Sequence, residues 1–200
     1  MKTLDKLAFV AKSIYTVTNL PYHNAYHITK MLEDAVNILN HCNTGLSDTL
    51  YAAILYHDAI YVPTRKDNEQ KSAELFQLID SNIVGDKTYN PYHVAELINL
   101  TARHTETLNF RNCKCDEFEA RVIMDADLAG FAGPYDVMTT NSEKIRLENL
   151  HVDADTFVKN RIAFLNLMLQ KPKIYYTAFG RQEYEDIARA NIQREIEALL

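Results

Sequence analysis

Apolar residues recur three and four positions apart along nearly the whole chain, and little interrupts them: 200 residues contain five Gly and five Pro. This is the period of helices that bury one face. With long Leu/Ala/Glu/Lys/Asn-rich runs between the few breakers, it argues for an all-α protein. Leu4, Leu7, Ala8, Ala11, Ile14, Tyr15 and Thr18 share a face of a helix over about 2–18. Asn19-Leu20-Pro21 ends it, since the residue before proline is pushed from helical geometry. A helix over about 24–40 buries Ile28, Met31, Leu32, Ala35, Val36 and Leu39. Others are predicted at about 46–60, from a capping box at Asp67 and Gln70 through Asp80, and at about 91–104, 116–130, 135–149, 154–170 and 183–199. No repeat, low-complexity tract or linker divides them, so the expectation is one bundle of about nine helices with short connections. Its core covers about 20–150, with helices from about 154–199 packed on it.

The composition narrows function. A hydrophobic fraction of 47% supports a sizeable core, and a formal charge of −6 speaks against a broad basic footprint for a nucleic-acid polymer. No apolar run reaches the ~18 residues that span a bilayer, and the first residues read as an amphipathic stretch; a cytoplasmic protein with no membrane partner is expected. Cys42, Cys113 and Cys115 follow no zinc spacing and read as free thiols.

Three motifs carry candidate chemistry. Leu46, Leu50, Ala53 and Ile54 mark a buried stripe on which His57 is the next position, so His57-Asp58 is carried inward. A buried ionisable pair costs several kcal/mol unless partnered, and a divalent cation satisfies neutral imidazole and carboxylate together. Alone, the doublet fits better a core histidine bonded to a backbone carbonyl, with Asp58 near a helix end. In Tyr22-His23-Asn24-Ala25-Tyr26-His27, the histidines are four apart and would share a helical face, one on a metal and one reaching its substrate. Asp125-Ala126-Asp127 places two carboxylates in a helix apolar on nearly all sides. Periodicity does not choose between them, since Asp125 lies with Phe118, Val122 and Ala129, and Asp127 with Ile123, Met124 and Leu128. His27, His57-Asp58 and one of these aspartates make two imidazoles and two carboxylates, a set suited to a divalent ion such as Mn, Fe, Ni, Co, Zn or Mg.

With these motifs in order, the chain resembles the HD superfamily of metal-dependent phosphohydrolases, whose signature is a His, a His-Asp doublet and a distant Asp on a helical core. The matching stretches are Tyr22-His23-Asn24 with His27, Leu55 to Tyr61 around His57-Asp58, Asn68-Glu69 with Ser72-Ala73-Glu74, and Thr101 with His104. Asp125 to Leu128, Arg146 with Glu148, Arg161 with Phe164-Leu165, and Ala188 to Asn191 complete them. The resemblance implies an HD-type fold, with His27, His57, Asp58 and Asp127 as metal ligands and Asp125 in a supporting role. Its likeness to cyclic nucleotide phosphodiesterases makes His23 the general acid. Asp58 or Glu69 would orient or deprotonate a water, with His104 as a second proton donor. Relatives tend to carry an arginine before the Tyr-His pair; here Leu20-Pro21 stands there, so Arg65, Lys66, Arg103 or Arg146 would grip phosphate. The implied substrate is a small-molecule phosphate ester, a nucleotide or similar. The alternative is a non-catalytic regulatory module that binds metal or nucleotide in an HD fold.

Overall fold

A computed structural model describes residues 2–200, and its order is all-helical: α1 Thr3–Thr18, α2 Ala25–His41, α3 Asp48–Tyr56, α4 Asn68–Asn82, α5 Pro91–Leu100, α6 Glu117–Leu128, α7 Tyr135–Glu148, α8 Ala154–Gln170 and α9 Glu185–Leu199. Among the described residues there is no strand, as the periodicity predicts. Short 3₁₀ turns follow α5 at Thr101–Arg103 and α6 at Ala129–Ala132, and one π-helical turn, Gly180–Tyr184, leads into α9. No helix among the described residues is long and apolar enough to cross a membrane.

The helix starts explain the placement of the histidines. Asn24 caps α2, its side-chain oxygen accepting from the Tyr26 and His27 backbone N–H groups at 2.8 and 3.3 Å. Its amide donates to the Leu20 and Pro21 carbonyls, so one side chain ties the preceding turn to the helix. Ser47 caps α3. That helix ends at Tyr56 and not near 60, so His57 is its C-cap and Asp58 leaves the helix. The loop beyond is clamped from α4: Ser72 bonds the N–H and C=O of Ile60, and Asn68 bonds those of Val62. Asp67 forms no capping box, because its carboxylate takes the Arg65 guanidinium at 2.6 and 2.8 Å and Gln70 turns to Glu74.

Burial divides into two clusters. The larger joins α1 through α6, with Leu7, Tyr56, Phe76, Ile98 and Ile123 inaccessible. The smaller joins Leu128 and Met138 to Leu165, Met168, Tyr175 and Ile192. Thus α6 belongs to both, and the helices after 150 pack on Leu128 and Met138. Val36 is exposed and Ile38 takes the buried position on α2. Cys113 and Cys115 are disulfide-bonded rather than free, while Cys42 is a free thiol.

Between α8 and α9 the chain crosses back as a strap, residues 171–177. Glu185 accepts from the Ile174 and Tyr175 N–H groups, and Arg189 donates to the Leu169 and Lys171 carbonyls. Asp125, fully buried on α6, takes the Tyr176 N–H on one oxygen and the Thr177 N–H on the other, each at 2.7 Å. That settles one of the two aspartates in an apolar helix: it holds backbone. The Gly180 backbone comes so close that a Cβ there would lie 2.6 Å from the Asp125 carboxylate and 2.8 Å from Tyr175.

Candidate metal centre

Four helix ends or turns deliver the site: the start of α2, the end of α3, the end of α6 and the turn after α5. The His57 Nδ1–H donates to the Ile54 carbonyl at 2.9 Å, which leaves Nε2 as the lone-pair nitrogen pointing away from α3. His57 Nε2 stands 3.2 Å from His27 Nε2, and Asp127 Oδ1 lies 3.3 Å from the latter and 3.6 Å from the former. Asp58 Oδ2 lies 2.9 Å from His57 Nε2 and 3.6 Å from His27 Nε2. Donors about 2.1 Å from a common ion stand about 3.0 Å apart at right angles and about 3.4 Å apart at tetrahedral angles. The observed separations bracket those values. His27, His57 and Asp127 form a group that could hold a metal ion, their ligand atoms all within 4.8 Å of one another.

The electrostatics match that reading. Burial pushes both imidazoles down, and the carboxylates outweigh it: Asp127 and Asp58 hold His27 above the ordinary histidine range, and Asp58 and Asp127 hold His57 well above it. Burial likewise pushes the carboxyls up, and His57 foremost keeps Asp58 and Asp127 well below the usual range. Two buried anions thus face two buried imidazoles, and they favour positive charge between them, from protons or from an ion.

His23 does not share a helical face with His27; it lies in the turn before the Asn24 cap, and the ring centroids are 6.1 Å apart. Its placement comes instead from Glu148, at the end of α7. Glu148 accepts the Tyr22 and His23 N–H groups on Oε1 at 2.6 and 2.9 Å, and its Oε2 meets His23 Nδ1 at 2.6 Å. The Tyr61 ring stacks on the imidazole at 3.5 Å between centroids. With one nitrogen and one face fixed, His23 Nε2 is left 3.9 Å from Asp58 Oδ2. On the other side, His104 Nε2 bonds Asp127 Oδ2 at 2.7 Å, while its Nδ1 is buried without a partner. Glu69 is half-buried, and burial, with Asp58 nearby, raises its carboxyl.

The four cations predicted to grip phosphate fall elsewhere or are occupied. Arg65 pairs with Asp67, Arg103 with Glu106, and the Arg146 guanidinium donates to the Asn149 and Val152 carbonyls. Lys66 is exposed. None of the four lines the cavity beside His27 and Asp127, a space of about 210 Å³ walled by Gly130, Ala132 and Pro134. Lys30 and Lys144 do line it, with Lys144 5.7 Å over the Tyr26 ring. Nothing in the sequence singles out either lysine or the Glu148 contact to His23, because each depends on how α7 returns to α2.

Comparison of the chain with family models, with curated proteins and with solved structures finds no match.

Proposed function

We propose that the protein is a metal-dependent phosphohydrolase of the HD type, acting on a small phosphate ester such as a nucleotide. The observation that carries the reading is the convergence of His27, His57, Asp58 and Asp127, with a carboxylate-held His23 facing their open side. His27, His57 and Asp127 would hold the ion, with Asp58 as the fourth donor. A divalent ion in that set lowers the pKa of water and polarises a phosphoryl oxygen. His23 delivers a proton to the leaving oxygen from Nε2, while Glu148 on Nδ1 fixes the ring. Asp58 or Glu69 orients the attacking water, and His104 steadies Asp127 through their hydrogen bond. The organic part of the substrate occupies the cavity lined by Tyr26, Lys30 and Lys144, where Lys30 is paired with Glu33 and the Lys144 ammonium attracts the phosphate.

The test is hydrolysis of nucleotides and an aryl phosphate with Mn²⁺, Co²⁺, Ni²⁺ and Zn²⁺, comparing wild type with His57→Ala. Metal-dependent turnover lost in the variant is expected; equal rates would end the proposal. A second reading, a module that binds metal or nucleotide without turnover, is favoured by one observation: Arg65, Arg103 and Arg146 are all committed to partners within the chain. Calorimetric nucleotide binding with no consumption across those metals would select it.

A further inference from the structure

A second cleft, of about 250 Å³, opens between the Phe110–Asn112 turn, α6 and the 171–177 strap, and it shares no lining residue with the cavity beside the metal centre. Arg111, Arg121, Lys173 and Arg181 line it, against the single carboxylate of Glu117. On a chain of net charge −6, this is a local excess of three positive charges gathered around one concave space. Their commitments within the protein are few. Arg121 meets Glu117 through Nη2, yet its Nε is buried with no partner. Arg181 gives one nitrogen to the Tyr176 carbonyl. Arg111 and Lys173 form no side-chain hydrogen bond or ion pair among the described residues.

The walls are fixed before any ligand arrives. Asn109 caps the Phe110–Asn112 turn, the Tyr176 hydroxyl donates to the Glu106 carbonyl, and Phe110 packs edge-on against Tyr176. The strap below is held by Asp125 and Glu185. Like charges held on a rigid frame repel one another, and a polyanion relieves that repulsion at little ordering cost. Guanidinium forks match phosphate oxygens in particular.

We propose that this cleft is a binding site for a di- or triphosphate group, separate from the metal centre. Such a group carries about the charge that the four cations and one carboxylate leave uncompensated, and it fits the volume. Its source is either a nucleotide or an inorganic polyphosphate. The inference does not depend on the phosphohydrolase reading, because it rests on other residues.

The test is calorimetric titration of the full chain with ATP and with pyrophosphate, in chelator so that no metal-dependent turnover consumes the probe. Wild type and His57→Ala should bind alike, with affinity falling as salt is raised. The double variant Arg111→Glu/Lys173→Glu should lose about tenfold or more, since both charges sit at the rim of the bound anion. Arg111→Gln/Lys173→Gln, which only neutralises, should lose less, and it serves if the reversed variant misfolds. ATP binding tighter than pyrophosphate names a nucleotide as source, and equal binding names inorganic polyphosphate; either supports the site. No saturable binding at millimolar probe, affinity unchanged in both double variants, or binding lost in His57→Ala would overturn it.

Discussion

Loading the centre with a divalent ion should expel protons, and the structure sets how many. Without an ion, the Asp58 and Asp127 carboxylates are ionised and hold His27 and His57 protonated above the ordinary histidine range. An ion must take the Nε2 lone pairs those protons occupy. Near pH 6.5 and below, both imidazoles give up a proton, so affinity should rise with pH by approaching two powers of ten per unit, about tenfold for each proton released. As pH climbs through the raised value of His27 the slope should fall toward one proton, contributed by His57, which titrates higher. The linkage sign for the metal-free chain is opposite. A histidine raised on folding adds stability that is full below its unfolded value near 6.5 and is lost as pH rises through its folded value. The metal-free protein therefore weakens from pH 6 toward 8 on this account, and an ion at 100 times its Kd restores about 2.7 kcal/mol, a Tm increase of about 5–10 °C for a chain of this size. Calorimetry in two buffers of different ionisation enthalpy counts the protons directly. Net release near zero at pH 6.5, or affinity flat between pH 6 and 8, would refute the assignment of His27 and His57 as joint ligands.

Glu148→Gln should lower kcat by about tenfold or more with the metal affinity unchanged, because a charge-assisted bond to His23 worth about 1.5–3 kcal/mol becomes a neutral one; a pH–rate profile and a metal titration read the two separately. Asp125→Ala leaves the Tyr176 and Thr177 N–H groups unpaired and should cost about 2–4 kcal/mol in urea unfolding followed by circular dichroism. Burial pushes the Asp125 carboxyl up to about 6, so the folded chain holds that proton more tightly than the unfolded one. Wild-type stability should accordingly fall, on this group's account, as pH rises from about 4 to 6, and the loss should be missing from the variant. Gly180→Ala puts a methyl against Asp125 and Tyr175 and should destabilise by about 1–3 kcal/mol, measured the same way; an unchanged midpoint would show that the strap yields freely.

Helix period made the bundle legible, and the His57-Asp58 doublet marked the place where charge is carried into it. The two readings of His57 prove compatible, since the bond from Nδ1 to the Ile54 carbonyl is what turns Nε2 toward its neighbours. Asp125 and Asp127 were inseparable by period because both sides of α6 are covered by protein. What distinguishes them is the return of Tyr176 and Thr177, 51 and 52 positions further along the chain. The spacing of four between His23 and His27 is helical in sequence but not in geometry, because α2 begins at Ala25 and His23 lies in the turn before its cap. Cations are the least legible residues, for a charge such as half-buried Arg146 declares its sign in sequence but not the carbonyls that occupy it.

The span of chain that closes the centre has a consequence for synthesis. His27 meets His57 across 30 positions, whereas the carboxylate of Glu148 reaches Tyr22 and His23 from 126 and 125 positions away. On a chain emerging from its N-terminus, the paired imidazoles are present well before α6 brings Asp127, and the Glu148 contact that orients His23 is completed only when the last turn of α7 has appeared. A nascent or truncated chain ending between α6 and α7 would therefore carry His27, His57 and Asp127, the group that could hold a metal ion, while still lacking the carboxylate that sets His23.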